Sequence, residues 1–438
     1  MSGKEFPLKA LFLRHPRLHL WLLADLLALA VFFFLRPFRG VMTALAGAMA
    51  ALRRAVGSVC YRTDVSVMEV LCVLLTFSAA LYLAWSIAAV ARLGKRGAPD
   101  RAAVKLTLAF SVAASLLLGG LAALRCAGTD AGVTPSTVLP AVIAPWPLAA
   151  AVWLAIGILC SPERRRRAYS ALLGLACAGL TIYAGFCYLW GVNYYVADFQ
   201  ELSGIRAQAV SVDDLERVTR YFADQLTDCA GEVARNEEGL FAVPRSEIFA
   251  GSVLVYDETV KQFPFLAFDD RPPKAVRFSR IMSRLDFTGV YCPFTGESSV
   301  NVDSPACLLP STIAHELAHQ RGIASEQECN FLAILSGTTC GSAVYAYSGW
   351  LLGYIYLGNA LYGRDPALWE PVYNSLPETV RADLSNNNAY WRQFQNSAVR
   401  RASNQVYDRF LKGYGEEQGL QSYGTVVDLL IAYYKDQI

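Results

Sequence analysis

Histidine is scarce in this chain: four among 438 residues, two of them, His15 and His19, close to the N-terminal end. No two of the eleven cysteines stand in C-x-x-C spacing, which excludes a zinc ribbon. No charge sign dominates. Lys and Arg total 39 and Asp and Glu 37, a formal net charge of +2 that implies no acidic partner. There is no glycine-rich phosphate loop, no nucleic-acid motif and no repeat of fixed period, so nucleic acid is not an expected partner. Apolar residues are plentiful instead, at 54% with a mean hydropathy of +0.31, too apolar for one soluble globule. They are unevenly spread. Residues 1–190 hold nearly all the long apolar runs, and residues 191–438 read as a separate soluble domain.

Apolar runs of about 18–25 residues cross a bilayer as helices. Five are expected here, at Leu18–Leu35, Val67–Ala91, Leu106–Leu124, Leu139–Cys160 and Tyr169–Leu189. A sixth stretch, Val41–Val56, is rich in alanine and glycine and carries Arg53 and Arg54 near its end, so it reads as an interfacial or re-entrant segment. The first run is too long for a signal core and no small-residue cleavage site follows it. Basic residues at Arg92–Lys105 and Arg164–Arg167, with Lys4, Lys9, Arg14 and Arg17, place those segments in the cytoplasm and the C-terminal domain outside. The arginines of residues 36–65 run against this rule. A spanning Val41–Val56 would flip the N-terminus and leave the C-terminal domain outside. The expected setting is a multi-pass protein of the cell membrane with the lipid bilayer as partner. Asp25 lies inside the first run, where a carboxylate is either functional or a helix-packing contact. Cys60 and Cys126 fall on the same expected side, where they could pair.

The soluble domain is expected to be mainly α, an α+β arrangement with a small sheet. Helices are read at 211–235, opened by Ser211 with acidic residues in its first turn, and at 245–262 after Pro244. Residues 286–303, β-branched, aromatic and broken by glycine and proline, read as a strand or hairpin. Further helices are read after Pro310, at Glu326–Leu335 and at Tyr347–Leu361.

The remaining two histidines stand at His315 and His319 with Glu316 between them, an H-E-x-x-H motif in a helix-competent stretch. Positions four apart share a helix face, so both imidazoles can address one metal ion, and Glu316 is placed to take a proton from water. This is the zinc-peptidase signature. A catalytic zinc ion takes three protein ligands and keeps an open position. With no third histidine in the domain, the remaining ligand is Glu, Asp or Cys. Gly322 can end the motif helix and Ser325 can begin the next, which puts Glu326 and Glu328 in reach. Being two apart, only one can face the metal easily. Glu326 has Asn330 four residues on, able to hold the outer nitrogen of a ligand histidine, so Glu326 is preferred and Glu328 is the alternative. Cys329 reads as a small core residue. Ser325 stands where metzincins carry their third histidine. A short loop to a glutamate on the following helix resembles the gluzincin arrangement instead.

Three segments, Tyr291–Glu297, His315–Gly322 and Glu326–Phe331, resemble the motifs Y-x-P-F-T-G-E, H-E-L-A-H-Q-R-G and E-x-E-A-N-F of a bacterial membrane-protein family, number 3810 among the domains of unknown function. Cys329 stands where the family has alanine, and Trp190–Tyr195 and Tyr347–Gly349 also fit. The resemblance covers most of residues 190–400. It implies a membrane-anchored zinc metallopeptidase of gluzincin type and a bacterial source of the Gram-positive kind. On that expectation one zinc ion sits on His315, His319 and Glu326, with Glu316 as general base. An extended peptide or protein near the outer membrane surface pairs with an edge strand of the 287–302 region. The oxyanion donor is one of Tyr345, Tyr347 and Arg321, with Tyr347 the first candidate. Glu297 either orients the cleft wall or caps its turn. The rival expectation is a non-catalytic membrane scaffold or sensor whose zinc is structural and closed by a fourth ligand such as Cys329, Glu328 or Cys340.

Overall fold

Among the described residues, three helices are long and apolar enough to cross a membrane, with windows Pro16–Leu35, Val67–Ala88 and Arg166–Leu189. The computed structural model describes residues 15–92, 162–395, 397–413 and 423–438. The expected runs Leu106–Leu124 and Leu139–Cys160, and Cys126, lie outside these residues. Helices of ten or more residues are numbered in order: α1 Pro16–Leu35, α2 Arg39–Cys60, α3 Val67–Arg92, α4 Pro162–Leu189, α5 Val212–Cys229, α6 Leu309–Gln320, α7 Glu326–Thr339, α8 Ala343–Arg364, α9 Pro366–Ser375, α10 Glu378–Arg392, α11 Ala398–Gly413 and α12 Tyr423–Tyr434. The strands are β1 Lys274–Ala275, β2 Gly289–Cys292 and β3 Glu297–Val300.

The chain divides into two compact units. One takes the described residues of Met1–Leu27 and Val73–Ile182, the other Ala28–Cys72 with Tyr183–Ile438. In the first unit Asp25 is buried and accepts a 2.9 Å hydrogen bond from Thr181 Oγ1 of α4. Trp21 Nε1 donates to the same hydroxyl at 2.8 Å. Asp25 therefore joins α1 to α4, the packing role open to an intramembrane carboxylate.

A cut at residue 190 does not match this division, because residues 28–72 pack with the C-terminal part. Helix α2 shows why. Near its start Arg39 pairs with Glu201, and at its end the Cys60 carbonyl accepts from Lys274 Nζ at 2.8 Å. Both ends are thus held by the same unit. Between them Met42, Arg53 and Gly57 are buried. Tyr61, just beyond the helix, accepts from Ser298 N at 3.0 Å. The first turn of α3 is tied in similarly. Glu297 accepts from Val67 N and Met68 N at 3.3 and 3.0 Å, and Glu69 accepts from Arg277 N and Phe278 N at 3.1 and 2.7 Å. Glu297 is therefore an N-terminal cap for α3, where the helix dipole favours a carboxylate, and not the cap of its own turn.

The 286–303 region forms the expected hairpin. β2 runs antiparallel to β3, β1 pairs with β3 in parallel, and among the described residues the order β1-β3-β2 leaves β2 at an edge. The stretch 245–262 is not one helix. It breaks into Arg245–Gly251, a 3-10 turn at Ser252–Leu254 and Asp257–Gln262. The break turns Tyr256 into the core, where its hydroxyl donates to the Ala314 carbonyl at 2.9 Å. The main core lies among α5, α6, α7, α8 and α12. An aromatic cluster centres it, with Phe222 4.8 Å from Trp350 and 5.1 Å from Tyr434, each ring edge-on. Cys229, Cys292, Cys307, Cys329 and Cys340 are all free thiols.

Candidate metal centre

Helix α6 starts with proline in its first turn, where a missing N–H is harmless. It stops at Gly322, whose φ of +91° is a left-handed conformation that a side chain would strain. Gly322 N donates to His319 O at 2.9 Å and Ile323 N to Ala318 O at 3.3 Å, a Schellman closure. The chain turns back at once. Glu326, the first residue of α7, is thereby brought onto the histidine face of α6.

His315 and His319 lie edge to face with ring centroids 4.8 Å apart. His319 Nδ1 is 2.8 Å from the Ile323 carbonyl, which can only accept, so Nδ1 carries a proton and Nε2 is the nitrogen left to meet a metal. His315 Nδ1 meets Asn330 Oδ1 at 2.9 Å, which sets the same tautomer. Both Nε2 atoms then face Glu326, His315 at 3.2 Å from Oε2 and His319 at 3.5 Å from Oε1. Burial works against the Glu326 charge, but the two imidazoles outweigh it and hold the carboxyl well below its usual range. Burial likewise opposes charge on His319, and Cys329 and Glu326 outweigh it.

His315, His319 and Cys329 also offer ligand atoms within 4.8 Å of one another, a group able to hold a metal ion. Two ligand sets thus share the histidines, and the ring faces separate them. Cys329 Sγ lies 3.3 Å from Nδ1 of His319, the nitrogen already committed to the Ile323 carbonyl. It is fully buried, and burial pushes its thiol up to about 12. Glu326 lies on the Nε2 side and lines the cleft, as Cys329 does not. The donor set that fits a metal open to the cleft is therefore two imidazole Nε2 atoms and one carboxylate.

Glu316 stands beside this set. It is buried, its Oε2 has no hydrogen-bond partner among the described residues, and burial pushes its carboxyl up to about 7. An unpartnered buried carboxylate oxygen is costly unless a ligand or water uses it. Its other oxygen packs under the edge strand. A Cβ on Gly289 would lie 2.3 Å from Glu316 Oε1 and 2.7 Å from Cδ. Gly289→Ala is therefore expected to push the carboxylate aside. Any activity that uses Glu316 should fall by at least about tenfold, since misplacement by 1 Å can cost 10²-fold, while bound metal is unchanged. Steady-state rates and metal content of the variant check this.

The cleft has a volume of about 530 Å³. Gly289, Val290 and Tyr291 of β2 form one wall, and Trp391, Asn404 and Tyr407 of α10 and α11 lie among the other lining residues. Tyr407 donates to Glu326 Oε1 at 2.6 Å. Burial, followed by the Glu326 charge, keeps it a phenol well above its ordinary range.

Several candidates lie elsewhere. Glu328 accepts from Phe199 N and Gln200 N at 3.1 and 3.2 Å, turned away from the histidines, so the alternative third ligand is corrected. Tyr347 does not line the cleft. Its hydroxyl donates to Asp383 at 2.5 Å, stacked on Phe241, which corrects its reading as oxyanion donor. Tyr345 donates to the Ile248 carbonyl at 2.7 Å, and Arg321 pairs with Asp270 at 2.5 Å over the Tyr256 ring. Both are structural. Tyr407 had no signal in its local sequence, and Gly289 had only its place beside the hairpin.

A family model described as "Protein of unknown function (DUF3810)" matches residues 131–431. No curated protein and no solved structure matches the chain.

Proposed function

The chain belongs to the DUF3810 family, and from that membership and the cleft we propose that it is a membrane-anchored, zinc-dependent metallopeptidase with an extracytoplasmic zincin-like domain. One observation carries the reading. Two Nε2 atoms and the Glu326 carboxylate converge on the cleft beside the unpartnered oxygen of Glu316. The outward setting rests on the basic segments at Arg92–Lys105 and Arg164–Arg167.

His315, His319 and Glu326 would hold the zinc ion, which supplies a Lewis acid for a peptide carbonyl and a water acidic enough to ionise near pH 7. Asn330 and the Ile323 carbonyl keep both imidazoles in the ligand tautomer. Glu316 accepts the water proton at Oε2 and returns it to the leaving amine. The open edge of β2 offers main-chain hydrogen bonds to an extended peptide with little sequence preference. Tyr407, rather than Tyr347, lines the cleft, and its phenol, which donates to Glu326 in this structure, would have to turn from that carboxylate to donate to the developing oxyanion. Tyr407→Phe is expected to lower kcat by about 10²–10³-fold with KM and zinc content little changed. A variant with wild-type kcat would remove Tyr407 from this role.

Metal analysis of the purified full chain tests the site. Wild type should carry one zinc ion per chain, and His315→Ala next to none. Equal zinc in the two sinks the proposal. Cys329 supports a second reading, the scaffold or sensor with a structural, closed site. Cys329→Ala separates the two, because it leaves zinc unchanged if the ion sits on the Nε2 side and releases it if the thiol is a ligand.

A further inference from the structure

We infer that the cleft takes a membrane-anchored polypeptide and cuts it within a few residues of its anchor. This rests on the peptidase reading and adds a substrate class to it. The observation is where the edge strand begins and ends. The tip of the β2–β3 hairpin sits between two helices that are long and apolar enough to cross a membrane. On one side, a Cβ on Gly185, inside the last apolar turns of α4, would lie 3.1 Å from the Phe294 ring. On the other, Glu297 caps the first turn of α3 through Val67 N and Met68 N. The Cys292 end of β2 is therefore at the level of two span ends.

The opposite end of β2 is at the reacting position, because Gly289 lies directly against the Glu316 carboxylate. Three residues of strand separate the two ends, about 10 Å at 3.3–3.4 Å per residue. The aromatic residues between them belong to the end of α4. Phe186 and Trp190 both line the cleft, Trp190 lies 5.1 Å from the Tyr291 ring, and the same indole is 5.6 Å from His319. Arg53 of α2, buried, stacks 5.5 Å above that indole and donates to the Leu189 carbonyl, which pins the span end to the cleft wall.

An extended chain paired along β2 thus has one end pointing at the bilayer. About 10 Å of strand separates the reacting bond from the level of the span ends. That is about three residues of extended chain. A polypeptide leaving a span, or a lipid anchor, enters along this path directly. A free soluble chain long enough to fill β2 must turn away at the hairpin tip against two span ends.

Comparison of protein termini in native cells carrying wild type or Glu316→Gln tests this, with Glu316→Asp as second variant should the amide not accumulate in the membrane. The expected result is a set of Glu316-dependent termini falling about three to eight residues from the end of a span or from a lipid-modified terminus. The identity of the anchored proteins distinguishes the two anchors. Glu316-dependent termini spread through soluble proteins would overturn the substrate class and leave the peptidase reading standing. Absence of Glu316-dependent termini, in cells where the wild-type chain carries zinc, would overturn the peptidase reading and this inference with it.

Discussion

Glu316→Gln is expected to leave the zinc ion in place and to remove hydrolysis, with kcat falling by about 10²–10⁴-fold, the usual worth of a positioned general base. The two parts of this expectation come from different atoms. Metal retention follows because the Nε2 atoms and Glu326 face one another without any help from Glu316. Loss of activity follows because Oε2 of Glu316 is a buried oxygen in the cleft with no partner among the described residues. An amide fills the same space and cannot accept the proton. Its fit under Gly289 is preserved, so the backbone of β2 should not move. Turnover and metal content measured on one preparation decide it. Retained turnover would place the base elsewhere, and lost zinc would make Glu316 part of the metal site.

The second large effect lies outside the cleft. Glu297→Ala is expected to destabilise the chain by about 3–5 kcal/mol, the cost of stranding one member of a buried ion pair. Glu297 and Lys274 pair at 2.5 Å with side chains 0% and 5% exposed. With the carboxylate gone, Lys274 keeps the carbonyls of Cys60 and Val65, at 2.8 and 2.9 Å, and the face of the Tyr61 ring 5.2 Å away, and its charge has lost its counter-ion. The first N–H groups of α3 lose their acceptor at the same time, which adds about 1 kcal/mol. A fall in Tm on the order of 10 °C is expected for the detergent-solubilised protein. Adding Lys274→Met should recover part of it, because the stranded charge is then removed. An unchanged Tm would mean that water reaches Lys274 in the folded protein.

Glu297 illustrates what was hidden in the sequence. Its place in the F-T-G-E turn suggested a local role, yet its partners are Val67, Met68 and Lys274, the first two some 230 residues away. Val41–Val56 is similar. Its alanine-rich, arginine-bearing composition marked it as different from the spans, and α2 does belong with the C-terminal unit. No pattern within it said that Arg53 would stack on Trp190. Tyr345, Tyr347 and Tyr407 carry the same hydroxyl. Helical packing turns the first two to Ile248 and Asp383 and sends only Tyr407 to Glu326.

The sequence by itself determined the features that repeat over one or two helical turns. These are the apolar runs, the histidine pair with Glu316 beside it, the glycine stop, and the Glu326–Asn330 pair that the short loop returns to the same face. Such features follow from 3.6 residues per turn and from backbone conformations that few residues adopt, so neighbours along the chain suffice to read them. Only the tertiary structure decided which glutamate turns to the imidazoles, which tyrosine reaches that glutamate, and how the hairpin tip is seated between two span ends. Those contacts join residues tens to hundreds of positions apart. They are selected by how whole helices fill space and bury polar groups in pairs, and no single stretch of the chain carries that information.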